Sequence, residues 1–444
     1  MYSCLLNTAI QYTLLNMIKY NFANSFRSAS SYIEQHKNKT FILQVPISAI
    51  AQIPNIPLIQ DIAILCSLNI KIIIVIDPTA EIQAYAKQHK LYINDNQQLV
   101  IDDNLNNYIE ELNARGIRKL EAYFASNNQY VSGLTTTSGN FITAIPCPIA
   151  NGNNYQNLGI IKNIDIKSIQ IALDNKQIVL LTPRGYTSTG DNLYINASNI
   201  AVYVATHIQA NKIIFLHNKD GIYYNKQLVR EIHPDNIKKF VDEDTHTYYL
   251  LKQANQVCRN NIARCHFLNY LDNNALLTEL FTPQGAGTLI SSQNSECIVK
   301  AQINDIGSIL SIINPLIDKN ILLARDKRVL EVEIDNFYLL KKDYTVIGCC
   351  GLRVCPQQNW AEIYCLAIAD HYLGENRGSK LVTYIIDIAF KQFRVSKIVL
   401  FSTNSMQWFK EKGFSIIDKA DLPAEIATRY QAARQSHIMQ LVAN

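Results

Sequence analysis

From Lys39 onward one pattern repeats: an unbroken run of β-branched and leucine residues, then a stretch with helical spacing, then another run. The runs are Thr40 to Val45, Lys71 to Ile76, Ile178 to Leu181, Lys212 to Leu216 and Arg264 to Leu268; the helical stretches include Ile59 to Leu68, Glu81 to His89 and Ala197 to Ala210. A strand exposed on one face alternates apolar with polar residues, whereas one covered on both faces reads as continuous Ile, Val and Leu. The pattern therefore predicts a mostly parallel sheet between two helical layers, a three-layer α/β domain.

After Gly285-Ala286-Gly287-Thr288-Leu289-Ile290 a polar stretch, Ser291 to Glu296, interrupts the pattern and a different order begins. A strand is expected at Ile298 to Ala301, then a helix from Asn304 to about Ile317, with Asp305 in the first turn where a carboxylate favours the helix dipole. Strands follow at Phe337 to Lys341, Thr345 to Arg353 and Trp360 to Ile368, then a helix from about Lys380 to Phe393 and a strand at Lys397 to Ser402. This is an α+β layout. A chain of 444 residues exceeds one ordinary core. The expected division is an extension at 1–22, an α/β domain at 23–290, a linker at 291–297 and an α+β domain at 298–444.

Charged residues are 18% of the chain, the formal net charge is +4, and the basic residues are spread rather than clustered, so a nucleic-acid footprint is missing. The ten cysteines include no CxxC pair and no Cys/His ligand spacing, which fits reduced core cysteines and no metal. The apolar patch of Leu14, Leu15, Met17 and Ile18 is broken by Asn7, Gln11 and Asn16 and lacks a basic lead-in. Neither a secretion signal nor a membrane span is expected there, and the chain reads as cytoplasmic.

The stretch richest in chemistry runs from Ala361 to Leu381. A strand delivers the chain to a polar turn bearing Gly374 and Gly378, and the turn feeds a helix, so successive backbone amides converge beside a positive dipole end. Such a place suits a pyrophosphate, although an ordinary strand-to-helix loop has the same outline. The stretch resembles motif A of the GNAT acetyltransferases: arginine or glutamine, two spacers, glycine, a spacer, then glycine or alanine. Asn376 falls on the first small-residue position and Gly378 on the second; Leu373 replaces the arginine or glutamine, and Glu375 adds a negative charge beside Arg377. The resemblance implies acetyl-CoA as cosubstrate, held by Cys365, Leu366, Ile368, Leu373, Gly374, Asn376, Arg377, Gly378 and Ser379.

Within that superfamily the chain resembles the bacterial N-acetylglutamate synthases from about Phe26 to Val442. The pieces that carry this are Phe26-Arg27 with Tyr32-Ile33, Ser138-Gly139-Asn140-Phe141, Arg264-Cys265-His266, Ala275 to Phe281 leading to Gly287-Thr288, Ile303 to Gly307, Trp408 to Phe414, and Tyr430 with Arg434 and Ser436. The family has an amino-acid-kinase-like domain followed by a GNAT domain. It transfers acetyl from acetyl-CoA to the α-amino group of L-glutamate, the first step of arginine biosynthesis. It also binds arginine as a feedback inhibitor and forms homo-oligomers.

The roles have a physical logic. The ammonium of glutamate must lose a proton before it attacks a thioester, and the resemblance places Glu362 as the base. Free backbone amides near Leu366 would stabilise the oxyanion, and a hydroxyl of Ser402, Thr403 or Ser405 would protonate the departing thiolate. Two carboxylates need cationic partners; the family positions are Arg325, Arg434 and Ser436, with Leu323 and Cys365 alongside. For arginine the matching residues are Tyr32, Glu279 and Gly287.

An amino-acid kinase needs glycines after its first strand and after the next parallel strand, so that phosphates can approach the backbone. Here those places read Val45-Pro46-Ile47-Ser48-Ala49 and Ile76-Asp77-Pro78-Thr79. Proline removes a donor and Asp77 repels phosphate, which speaks against phosphoryl transfer and excludes acetylglutamate kinase as a reading of the whole chain. At this level two alternatives to acetylation of glutamate stay open: a decayed paralogue serving as arginine sensor or scaffold, and an acetyltransferase for another amine.

Overall fold

The apolar runs of the first three hundred residues become the centre of one sheet. The computed structural model describes residues 26–444 apart from 28, 94–97, 127–132, 150–151, 241–250, 253, 256, 259–263, 283–284, 293–295, 343–344, 375, 431–435 and 444. It divides into two units, Met1–Gln293 and Asn294–Asn444.

In the first unit the sheet strands are β1 (Thr40–Pro46), β2 (Lys71–Asp77), β3 (Thr136–Ser138), β4 (Ile178–Leu181), β5 (Lys212–His217), β6 (Glu231–Ile232), β7 (Arg264–Asn269) and β8 (Thr288–Ser291). They lie in the order β6-β8-β7-β5-β1-β2-β4-β3, and β7 with β8 is the antiparallel pair among otherwise parallel neighbours. Alternate side chains serve two cores. Ile42, Ile73, Val75, Val179, Ile213 and Phe215 pack under helices α3 (Ile166–Asp174) and α4 (Ala197–Ile208). Phe41, Leu43, Ile72, Ile74, Leu180 and Ile214 pack under α1 (Leu58–Ser67), α2 (Asp103–Ala125) and α5 (Ala275–Phe281). Both faces being covered is the reason the strands read as unbroken apolar runs.

Two parts of this unit were not legible in the pattern. Helix α2 starts where the Asp102 carboxylate accepts from the Leu105 amide at 2.8 Å, and buries Leu105, Ile109, Leu112, Leu120 and Phe124. A separate four-stranded sheet uses Ile142–Pro146, Gly159–Ile164, Arg184–Tyr186 and Asn192–Tyr194, whose partly exposed residues carry no long apolar run.

The second unit is a seven-stranded sheet of β9 (Glu296–Lys300), β10 (Phe337–Lys342), β11 (Thr345–Cys355), β12 (Trp360–Ile368), β13 (Lys397–Ser402), β14 (Ser415–Ile416) and β15 (His437–Val442), ordered β9-β10-β11-β12-β13-β15-β14. Among the described residues only β12 and β13 pair in parallel. Helices α6 (Ile306–Asp318) and α7 (Lys327–Glu333) cover one face, and α8 (Arg377–Asp387) the other. Asp305 closes the turn ahead of α6 by accepting from the Gln302 amide at 2.9 Å. Among the described residues no helix is long and apolar enough to cross a membrane.

Close packing leaves no room at Gly287, where a Cβ would stand 1.9 Å from the Phe267 carbonyl oxygen across the β7–β8 pair. Gly287→Ala should therefore force those strands apart and cost roughly 2–4 kcal/mol. Chemical denaturation checks this; an unchanged midpoint would show that the strands can yield.

Candidate active site

The central strand of the second unit is interrupted in two ways. On the β11 side the register shifts between Cys349 and Gly351, so Cys365 and Leu366 share the space opposite Cys350, and Cys365 sits at φ 51°. A left-handed cysteine costs roughly 1–2 kcal/mol, tolerated where the surroundings fix it. On the β13 side the parallel pairing runs from Trp360 with Lys397 only as far as Ile363 with Leu400. Beyond Ile363 the two strands part, which turns the edge of residues 364–368 toward an opening.

Beside the opening lies a cavity of about 380 Å³ whose lining includes Leu323, Arg325, Glu333, Arg353, Glu362, Tyr364, Cys365, Thr403, Arg429 and Ser436. Glu362, 4% exposed, projects from β12. Its Oε2 accepts from Arg353 Nη1 at 2.9 Å and Arg429 Nη1 at 3.0 Å. Arg353 also donates to Glu333, which accepts from Arg325 at 2.7 Å, and Arg429 donates to Glu425 at 2.9 Å. The result is an alternating row: Arg325, Glu333, Arg353, Glu362, Arg429, Glu425. Burying any of these charges alone would be expensive, and the alternation offsets that cost.

Tyr364 organises two of the guanidiniums. Arg325 lies 4.6 Å and Arg353 4.5 Å from its ring centroid, and the ring occupies the space that a side chain at Gly351 would take, with ring atoms 2.5–2.7 Å from an added Cβ. Burial, with the Glu333 carboxylate beside it, pushes the phenol well above its ordinary value.

The expected residues divide as follows. Glu362, Arg325, Leu323, Cys365, Thr403 and Ser436 line one cavity. Ser402 is buried at the end of β13, where its hydroxyl accepts from the Ser405 amide at 3.1 Å. Leu366 and Ile368 lie on the parted edge of β12. Gly374 and Asn376 take φ 100° and 55°, the left-handed values a tight turn into α8 requires, and Leu373 is 66% exposed. Gly378 and Ser379 form the first turn of α8, whose amides have no partner within the helix. The guanidinium of Arg377 is turned inward: Nε donates to Glu296 at 2.6 Å and Nη1 to the Tyr372 carbonyl at 3.2 Å. Arg434 and Glu375 lie outside the described residues.

Glu333, Arg353, Tyr364 and Arg429 were missed by sequence reasoning. One signal was available for Arg353. The four-residue turn 356–359 pairs Cys355 with Trp360, and counting back along that hairpin sets Arg353 opposite Glu362. Nothing in the sequence marks Glu333 or Arg429.

A second polar cluster sits in the first unit. Glu279 Oε2 accepts from the amides of Ala286 at 2.6 Å and Gly287 at 3.0 Å, and Oε1 meets His266 Nδ1 at 2.6 Å. His266 Nε2 faces Lys212 Nζ at 3.3 Å. Lysine has only donors, so Nε2 accepts and Nδ1–H donates to the carboxylate. Burial and the Lys212 ammonium push His266 down to about 4, keeping it neutral. Burial alone would raise the Glu279 carboxyl, but His266 and the two amides outweigh it and hold it at about 2. Tyr32 is buried one helical turn from His36, whose ring meets the Leu280 carbonyl at 2.8 Å. At the ends of β1 and β2, Asp77 accepts from Gln44 at 2.7 Å and from the Thr79 amide at 2.9 Å. A carboxylate already holds donors that a phosphate would need.

Two known families match separate stretches of the chain. Residues 55–269 match the amino acid kinase family, and residues 317–414 match the acetyltransferase (GNAT) family. The amino-acid acetyltransferase of Shewanella oneidensis is 32% identical over 431 residues, covering 94% of this chain and 97% of its own. That of Ectopseudomonas mendocina is 31% identical over 430 residues, with 95% and 99% covered. Among solved structures, N-acetylglutamate synthase from Neisseria gonorrhoeae complexed with coenzyme A and L-arginine has a TM-score of 0.84 at 26% identity, covering 95% of this chain and 99% of that one.

The buried histidines make a prediction about acid. Burial first, then Lys212, also lowers His36 to about 4, so between pH 6.5 and 4 the unfolded chain takes up protons at His36 and His266 that the native chain refuses. Stability is thus full above pH 6.5 and falls as pH drops through that window, by about 2 kcal/mol per histidine at pH 5. Denaturation at pH 7 and 5 measures the loss, and His36→Gln should remove about half of it. A pH-independent midpoint would mean that both rings are protonated in the fold.

Proposed function

The chain belongs to the amino-acid acetyltransferase family, and from that membership we infer that it is an N-acetylglutamate synthase, moving acetyl from acetyl-CoA to the α-amino group of L-glutamate. The observation that carries the substrate is the make-up of one cavity. It holds a buried carboxylate, Glu362, beside Arg325, Arg353 and Arg429, which together suit one amine and two carboxylates.

Acetyl-CoA is the cosubstrate, and the residues fit it: the parted edge of β12 offers amides to the pantetheine and thioester carbonyl, and the turn at Gly374 and Asn376 leads into the first amides of α8 for the pyrophosphate. When bound it supplies the activated acetyl group. In this reading Glu362 takes the proton from the substrate ammonium, directly or through water. Arg325, Ser436 and Arg434 hold carboxylates, Leu323 and Cys365 line the substrate side, and Thr403 or Ser402 protonates the departing thiolate. The inward pairing of Arg377 with Glu296 supports a role in shaping the turn, leaving phosphate to the backbone.

The Neisseria gonorrhoeae synthase is complexed with L-arginine, and in this reading the chain binds arginine in its kinase-like unit, at Tyr32, Glu279 and Gly287. Its guanidinium would compete with His266 and two amides for Glu279. This step would serve the opening of arginine biosynthesis. Self-association through the kinase-like unit and a cytoplasmic setting, where acetyl-CoA and glutamate are supplied, complete the proposal.

CoA release on mixing the full chain with acetyl-CoA and glutamate tests it, repeated with aspartate, lysine and added arginine. Turnover selective for glutamate is expected, and preference for lysine would overturn the substrate. Glu362→Gln should lower turnover roughly 100-fold or more, and an unchanged rate would remove Glu362 as base.

A further inference from the structure

The charges of the alternating row at the cavity are paired with one another, so a substrate bearing carboxylates competes with resident glutamates for the guanidiniums. The three cavity arginines are not equally able to move. Arg325 and Arg353 are stacked on Tyr364 and bonded to Glu333, with side chains 15% and 17% exposed. Arg429 is 29% exposed and stacks on no ring among the described residues. It follows the short helix α9 (Ala424–Ala427) and spans two carboxylates, Glu362 inside and Glu425, 48% exposed, at the rim.

We propose that Arg429 reads the α-carboxylate of the substrate, exchanging its bond to Glu362 for one to that carboxylate. The inference deepens the acetyltransfer reading above and rests on it. Distance selects the carboxylate. An amine placed on Glu362 carries its α-carboxylate two bonds away, next to the guanidinium that shares Glu362 Oε2; the side-chain carboxylate lies further off, toward the fixed arginines. After the exchange Glu362 keeps Arg353 and gains the substrate ammonium, so each charge again faces an opposite one. An amine without an α-carboxylate leaves Arg429 on Glu362, where it competes with that amine for the same oxygen. Arg429 would thereby couple recognition of an amino acid to access to the base.

The test compares two substrates that differ only at the α-position: glutamate and isoglutamine, whose α-carboxylate is an amide. In the wild-type chain glutamate should have much the lower KM. Arg429→Gln should raise the glutamate KM roughly 10- to 100-fold, the value of one charge-assisted bond, and lower the KM of isoglutamine, whose competitor for Glu362 is gone, so that the ratio collapses. Arg429→Lys should recover part of the ratio. A merely structural role would lower kcat for both substrates alike, and that result, or an unaltered ratio, overturns the proposal. Calorimetric binding of both compounds to the CoA-loaded chain reports the same ratio without turnover. A wild-type chain that binds glutamate through Arg429 yet releases no CoA would count against acetyltransfer alone.

Discussion

Where β12 parts from β13 after Ile363, the second unit gives up backbone hydrogen bonds that a continuous sheet would have made. Such groups are costly to bury unless something else accepts or donates to them. The same strand carries the bulge at Cys365, which re-aims the side chains beyond it. Everything at the site follows from this interruption. Before it, Glu362 is locked in register with Arg353; after it, residues 364–368 face an opening, and the strand runs on to the turn that starts α8. A fully paired strand would be more stable and would have nowhere to receive a thioester.

The row of ion pairs from Arg325 to Glu425 solves a different difficulty. The proposed base, and the cations proposed for two carboxylates, must stay charged in a half-enclosed cavity without collapsing onto each other. Alternation neutralises them pairwise, and Tyr364, seated against Gly351, fixes two of the three guanidiniums. The charges are thus organised without a ligand, and in the proposed reading binding becomes an exchange of partners rather than burial of new charge.

The kinase-like unit shows how a fold can keep its frame and lose a chemistry. Its parallel sheet and two cores are intact, yet proline and a carboxylate stand where phosphates would approach backbone amides, and Asp77 holds the Thr79 amide and the Gln44 side chain. Polar investment has moved to Glu279, His266 and Lys212, where a neutral imidazole joins a buried cation to a buried anion. The function proposed for this unit is binding, argued from the site rather than from the fold.

By itself the sequence determined the layer structure of both units. Unbroken apolar runs such as Lys71 to Ile76 have one economical solution, burial on both faces, and the order of strands and helices after Glu296 has few. It also marked the turn at Gly374 and, through resemblance, Glu362 and Arg325. The tertiary structure alone decided which charges meet. Glu333 and Arg429 are separated from Glu362 by 29 and 67 residues, and no local periodicity ties them to it. The inward turn of Arg377 onto Glu296, 81 residues away, was hidden for the same reason. Burial patterns are written in neighbours along the chain, whereas an ion pair depends on where distant segments end once the cores have packed.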